Sequence, residues 1–433
     1  MKFLFTLLGL AYLLLPLAAE ETRTKVPLSV TSRWIIDRGG NRVKLRCVNW
    51  AAHLETNIPE GLHKQSINWI ASWIATQGFN CVRLTYSTDM ALNHKLRVKK
   101  SFQMAAKVTG VPQDEMKKLF HQVVEHNPFI KKATLIDVFD AVHNALWNQN
   151  VMTIIDNHVS RAGDCCTLFD GNGWWDDAPG HIPYNSRHFN TSQWYDGLVA
   201  MAKWSRPYPG IVGMSLRNEL RATGEQVKAS GQVWRDRMLA AANKVNTANP
   251  DVLIMFGGMK NGTDLRPITI PGGLPSYDFE HKRVWEAHAY NLSIPKYRNC
   301  HAMKHQFFDN FAFVLTKQRN LTGPLFISEF GIDMSFTHDP FQWYMYQKVY
   351  EYYDCLKEFL WLTDADWALW ALQGSYYVRF GELDRNEPYG VLNKDWTDWR
   401  RRGFWKKDIG QITSMRRGPH TEDGNVTETD LTF

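Results

Sequence analysis

Short apolar runs rich in β-branched residues recur along the chain, and stretches with apolar residues at helical spacing lie between most of them. "VKLRCVN" (43–49) is followed by "QSINWIASWIATQG". "NCVRLTY" (80–86) is followed by a long insertion of mixed helical character to about residue 131, then by the amphipathic "LIDVFDAVHNALWNQ" (135–149). "VMTIID" (151–156) leads into a Gly/Asp/Trp-rich loop over 157–190, and "TSQWYDGLVAMAKWS" reads as a helix opening on a Thr/Ser cap. "IVGMSLR" (211–217) precedes "GQVWRDRMLAAANKVN". "VLIMFG" (252–257), "RVWEAHAY" (283–290), "PLFISEFG" (324–331) and "DWALWAL" (366–372) complete eight strand candidates. "MKHQFFDNFAFVLTKQ" (303–318) and "FQWYMYQKVYEYYDCLKEF" supply the last helices.

Eight β/α repeats whose strands are apolar enough for burial on both faces predict a (β/α)8 TIM barrel, with long inserted loops after strands 2 and 3. A doubly wound open sheet is the alternative. No Gly-x-Gly-x-x-Gly turn follows the first strand, which removes its dinucleotide-binding form. The barrel is expected over 26–412, and the polar, aperiodic 413–433 reads as a disordered tail.

Composition adds little to the fold but bounds the partners. The 433 residues are 44% hydrophobic and 22% charged, an ordinary globular balance. A net charge of +6 with no Lys/Arg stripe points away from nucleic acid. Arg400, Arg401, Arg402, Lys406 and Lys407 are expected on a solvated helix face. Lys2 precedes an apolar run ending in small residues, so 1–19 reads as a signal peptide cleaved near Ala18 or Ala19. The expected product is a secreted, extracellular monomer that leaves the membrane on cleavage.

Secretion permits disulfides among Cys47, Cys81, Cys165, Cys166, Cys300 and Cys355, with the pairing left open. One of Cys165 and Cys166 is expected to bridge elsewhere, because a bond between adjacent cysteines is strained. Sequons stand at Asn190, Asn261, Asn291, Asn320 and Asn425. No metal or cofactor is expected. His301 and His305 lack the Glu of a metalloprotease helix, since Ala302 follows the first His. Asp164, Asp170, Asp176 and Asp177 do not have EF-hand spacing, although a structural Ca²⁺ in their loop stays open. No Gly-x-Ser-x-Gly elbow occurs.

In such a barrel the chemistry sits at the C-terminal strand ends. The polar residues there are Arg83, His158, Asn218, Glu219, His288, Tyr290 and Glu329, with Trp370 in strand eight. Glu219 and Glu329 are the two carboxylates suited to chemistry, and a carboxylate pair is the usual equipment for cleaving a glycosidic bond. Aromatics reach 13% with 18 Trp, and Trp50, Trp175 and Trp370 are candidates to offer flat faces to a sugar.

The ordered set "VRLTY", "DNHVS", "RNE", "HAY" and "SEFG" resembles glycoside hydrolase family 5, across roughly residues 30–400. "CC…DGNGWW" and "VGMSLRNELR" are similar to a eukaryotic subgroup found in plants and fungi. Many members read Asn-Glu-Pro where Leu220 follows Glu219 here. The resemblance implies retaining double displacement, with Glu219 as acid/base and Glu329 as nucleophile. It also implies that Asn218 binds the sugar 2-hydroxyl and that Arg83 and Tyr290 hold Glu329 ionised. His158 and His288 would bind hydroxyls or tune Glu219, and Trp370 would stack on a sugar. The implied partner is a β-linked polysaccharide or oligosaccharide, with endo-action on β-1,4-glucan as the leading reading. Other family 5 specificities (β-mannan, a glycolipid or a small glycoside) and a non-catalytic carbohydrate-binding protein are the alternatives.

Overall fold

The computed structural model describes residues 23–270, 274, 277–290, 299–316, 321–335 and 340–401, together with 403, 410 and 412. The expected signal-peptide segment, the whole of the expected tail, the sequons at Asn291, Asn320 and Asn425, and Arg402, Lys406 and Lys407 lie outside the described residues.

A hairpin of β1 (Ser29–Thr31) and β2 (Trp34–Ile36) comes first. Eight parallel strands follow: β3 (Arg46–Trp50), β4 (Cys81–Ser87), β5 (Met152–Val159), β6 (Ile211–Ser215), β7 (Leu253–Gly257), β8 (Arg283–Ala289), β9 (Leu325–Phe330) and β10 (Asp366–Leu369). They close into a barrel in chain order, with β10 paired to β3. This is the expected (β/α)8 fold. A second hairpin, β11 (Ser375–Arg379) and β12 (Glu382–Asn386), comes after the last barrel strand. The two hairpins escaped the periodicity reading because β1 and β2 are only three residues long and β12, Glu-Leu-Asp-Arg-Asn, is polar with no buried run.

The insertion after β4 carries helices Thr88–Leu92, Val98–Thr109 and Gln113–His126. The one after β5 runs to helix Thr191–Ser205, whose cap is Asn190 and not the expected Thr/Ser: its side chain accepts from the Gln193 amide at 2.9 Å. Among the described residues no helix is long and apolar enough to cross a membrane.

Alternation along the strands places every second side chain inside the barrel. Low in the barrel that face is apolar: Cys47, Cys81, Met152, Ile154, Leu253, Met255, Val284 and Phe326 form one buried cluster, plugged from below by Leu28 and Ile35. One or two steps further along the same strands come Arg83, Asp156 and Glu286, all buried. The interior therefore changes from apolar to charged toward the C-terminal strand ends.

All six cysteines are paired, as Cys47–Cys81, Cys165–Cys166 and Cys300–Cys355. The bond between Cys165 and Cys166 corrects the expectation that one of them bridges elsewhere. Cys47 and Cys81 are register partners on β3 and β4, and Cys300 and Cys355 join two outer helices, so the adjacent pair has only itself. Arg400 is likewise no solvated helix residue: it is half-buried and donates to the Gly390 and Gly374 carbonyls and to Asn386.

The seam between first and last barrel strands is tied by charge. Lys44 Nζ, buried, donates at 2.6 Å to both Asp364 Oδ1 and the Ala365 carbonyl. Arg42 and the Leu45 amide hold Asp366 at 2.9 and 2.8 Å. Removing one member of a buried pair strands the other, so Lys44→Ala should lose about 3–5 kcal/mol in denaturant unfolding. A loss under about 1 kcal/mol, the range of an exposed pair, would show that this contact does not hold the seam.

Candidate active site

The Arg83 guanidinium sits at the centre of the charged layer with no solvent exposure. Its Nη1 donates to Glu329 Oε1 at 2.8 Å and to Asn49 Oδ1 at 3.0 Å. Its Nη2 donates to Asn218 Oδ1 at 3.0 Å and lies 2.9 Å from Asp156 and 3.1 Å from Glu286. Five other strands or strand ends thus converge on one planar, five-donor group, a geometry that lysine cannot reproduce. Burial alone would pull its pKa down; Asp156, Glu286 and Glu329 more than offset that, and the net shift is upward.

Parallel register sets His288 beside Glu329 on β8 and β9, across an irregularity in the ladder. Tyr290 Oη donates to Glu329 Oε2 at 3.2 Å, so each oxygen of Glu329 has its own donor. Glu219 comes four residues after β6, at φ +43. That left-handed conformation is uncommon for a residue with a Cβ, and such strain clusters at functional sites. It aims the carboxylate back over the barrel. Oε1 meets His288 Nδ1 at 3.0 Å and Oε2 accepts from Asn261 Nδ2 at 2.9 Å. One oxygen of Glu219, one of Glu329 and a His288 nitrogen all lie within 4.8 Å of one another.

The protons in this cluster are coupled. Burial pushes Glu329 up, to about 7, with the Glu219 charge adding to it and His288 and Arg83 pulling the other way. Burial also pushes Glu219 up, but the bonds from His288 and Asn261 leave it below its usual value. His288 is pulled down by burial and up by both carboxylates, with a net rise. These groups titrate as a unit and not residue by residue.

His158 does not reach Glu219. Its Nδ1 meets Asp156 Oδ2 at 2.6 Å and its Nε2 faces Asn218 Nδ2 at 3.3 Å. Burial holds it well below its usual pKa, so the neutral ring donates to Asp156 and accepts from Asn218. Asn218 is thereby clamped from both ends, by Arg83 and His158. It also lies 3.4 Å from Cys166 Sγ, so the Cys165–Cys166 bridge forms part of the wall.

These groups open into a cavity of about 510 Å³, whose far wall is the β11–β12 hairpin with Phe380, Arg385 and Tyr389. Arg379 ties the hairpin to the loop after β5 through Asp164 at 2.8 Å. The other acids of that loop are engaged too: Asp170 with Arg221, Asp176 with Thr191, and Asp177 with Arg237. Trp370 lies in the wall, one residue past the end of β10, stacked on His158 with ring centres 5.5 Å apart. Trp50 and Trp175 are corrections. Trp50 is fully buried and donates to the Glu60 carbonyl, and Trp175 is fully buried against Trp174, Phe189 and Trp194. Neither a place at the end of β3, for Trp50, nor one in the loop after β5, for Trp175, disclosed which way the ring turns.

Asp156, Glu286, Asn49 and Asn261 were missed. Asp156 and Glu286 lie inside apolar runs, two residues before His158 and His288; that i, i+2 spacing was the available signal, since it puts each pair on one face. Asn261 was read as a sequon.

The family profile described as Cellulase (glycosyl hydrolase family 5) matches residues 40–375. A "Glycosyl hydrolase 5 family protein" of Chamaecyparis obtusa is 34% identical over 96% of this chain and 71% of its own length. An endoglucanase of Paenibacillus polymyxa is 19% identical over 92% of this chain and 89% of its own. The catalytic domain of the major endoglucanase from Xanthomonas campestris pv. campestris superposes with a TM-score of 0.65 at 17% identity, covering 89% of this chain and 100% of that domain. An endocellulase from Pyrococcus horikoshii in complex with cellotetraose gives 0.64 at 15%, covering 90% and 99%.

Trp370→Ala should raise KM for a β-glucan oligosaccharide about three- to tenfold, the range of one aromatic contact. Trp175→Phe should lower the melting temperature and leave KM unchanged. The reverse pattern in steady-state kinetics and thermal melts would return Trp175 to the binding surface.

Proposed function

This chain belongs to glycosyl hydrolase family 5, and on that premise we propose that it is a secreted, retaining β-glycosidase acting internally on β-1,4-glucan, with Glu329 as nucleophile and Glu219 as acid/base. The observation that carries the reading is the approach of Glu219 and Glu329 oxygens to within 4.8 Å. Carboxyl groups roughly 5–5.5 Å apart suit a covalent intermediate, whereas inversion needs about 6.5–9.5 Å to admit a water.

The roles follow from the partners. Arg83 is a permanent cation and, of the two carboxylates, hydrogen-bonds only Glu329, so the negative charge of the reacting state belongs there. Glu219 meets His288, a group that can exchange a proton with it over 3.0 Å. Passing that proton from Nδ1 to Oε1 turns an ion pair into a neutral acid beside a neutral imidazole. In the first step a Glu329 oxygen bonds to the anomeric carbon, the bond to the leaving oxygen breaks, and the Glu219 proton goes to that oxygen. In the second, Glu219 takes a proton from water, the water oxygen bonds to the anomeric carbon, and the ester to Glu329 breaks. Asn218, clamped by Arg83 and His158, presents its amide toward the 2-hydroxyl. The endoglucanase names of relatives support the glucan substrate, and the three disulfides suit an oxidising, extracellular destination.

Glu329→Gln should remove nearly all turnover while the melting curve stays close to wild type; full activity in that variant would sink the assignment. Proton NMR of fresh product should show the β-anomer first, and an initial α-anomer would mean inversion. Hydrolysis of β-glucan in preference to β-mannan decides the sugar. The pH profile of kcat/KM should be bell-shaped. The carboxyl pair must keep one proton, so activity is lost as pH rises through about 7, where the proton that burial raises on Glu329, shared with Glu219 in the coupled cluster, is lost. The nucleophile must be ionised, so activity is lost again as pH falls below the ordinary carboxylate range and the cluster takes up its second carboxyl proton, late because His288 and Asn261 hold Glu219 down.

A further inference from the structure

The loop after β7 is unusual in conformation and in destination. Lys260 and Asn261 are consecutive non-glycine residues in the left-handed region, at φ +53 and +57. Asn tolerates that region better than most residues, but two in a row persist only where surrounding contacts demand them. Three contacts do so here. The Asn261 amide donates to the Leu220 carbonyl at 3.2 Å, which clips this loop to the segment carrying Glu219. Gly262, at φ +77, lies so close to His288 that a Cβ there would be 2.8 Å from the imidazole. The Asn261 side chain lines the active-site cavity and reaches Glu219.

Resting on the assignment of Glu219 as acid/base, we infer that Asn261 is a positioning residue for that acid, and that N-glycosylation of its sequon and turnover exclude each other. The terminal torsion of a glutamate is broad, so a carboxyl group with one partner can rotate. Glu219 has one partner on each oxygen, His288 on Oε1 and Asn261 on Oε2. The two fix the plane of the carboxyl group, and with it the direction in which the proton leaves. A carboxyl oxygen has two sites, so Oε1 can turn its proton from His288 to the leaving oxygen while Asn261 holds Oε2. The same Nδ2 is the atom that an N-linked glycan would occupy. Here it points into the cavity at 2.9 Å from Glu219, so a sugar attached there would fill the space that substrate needs.

Glu219 is also faced by His288 from β8, Glu329 from β9, Asp156 from β5, and by Tyr290 and Arg221, so a pH shift alone would not single out Asn261. Leaving-group dependence does. The test uses the full chain and a series of aryl β-glycosides of the sugar it cleaves, from activated to poor leaving groups, with Glu219→Ala as reference. Glu219→Ala should retain the activated substrates and lose the poor ones. Asn261→Ala should show the same slope in weaker form, losing about ten- to hundredfold in kcat/KM on the poor leaving groups only, the range of one hydrogen bond to a charged group. Its alkaline limb should move to higher pH, because the lost bond favoured the ionised carboxylate. Asn261→Asp, which keeps the shape and puts a second carboxylate against Glu219, should move the limb further the same way.

A uniform loss across the series, or none, in Asn261→Ala while Glu219→Ala shows the slope would overturn the role of Asn261 alone. No slope in Glu219→Ala would overturn the acid assignment beneath it. Peptide mass spectrometry of the active wild-type fraction needs no variant: Asn261 should be unmodified, and full specific activity in molecules glycosylated there would overturn the exclusion.

Discussion

A guanidinium buried at the centre of a barrel has to be neutralised, and the site is built around that need. Arg83 has no exposure, and an unpaired charge there would be prohibitively costly. Asp156, Glu286 and Glu329 neutralise it, while Asn49 and Asn218 take further donors. Each partner is itself placed by a different strand or strand end, so the closed sheet and the charge cluster stabilise one another. The proposed nucleophile is one of these counter-ions. Its alignment therefore follows in part from the same contacts that make the buried cation tolerable, with Tyr290 holding the second oxygen.

The two ends of the barrel divide the work. Below, an apolar plug and the Lys44 and Arg42 ion pairs close the seam between β3 and β10. Above, inward positions turn polar, and Glu219, Lys260 and Asn261, three of the left-handed non-glycine residues, stand at the site. Strain of this kind persists where rigid surroundings over-determine it. The register of β8 and β9 supplies part of that rigidity, since it fixes His288 next to Glu329 before any loop is considered.

Much of this was legible from the chain. Eight apolar runs separated by helical spacing point to a parallel α/β sheet, because strands buried on both faces read that way, and their number favoured a barrel over an open doubly wound sheet. Asn218, Glu219, His288, Tyr290 and Glu329 stood out because each breaks an apolar run at or near its end, where a barrel puts its pocket; Arg83 was expected at a strand end too but is the third residue of the seven-residue β4 and reaches the others from inside the barrel. Asp156 and Glu286 were hidden because the cation they answer, Arg83, comes from another strand. Trp50 and Trp175 show that proximity to a pocket in sequence says nothing about the direction of a ring. Asn261 was concealed by a sequon that carries a different meaning, and its contact with Glu219 spans 42 residues.

The central claim is that Glu329, hydrogen-bonded by Arg83, forms a covalent bond to the sugar. An activated 2-deoxy-2-fluoro glycoside of the cleaved sugar slows the second step and lets that ester accumulate. Intact mass followed by peptide mapping should find one fluorosugar per chain, attached to Glu329. A label on Glu219, or steady turnover of the reagent with no adduct at all, would contradict the account.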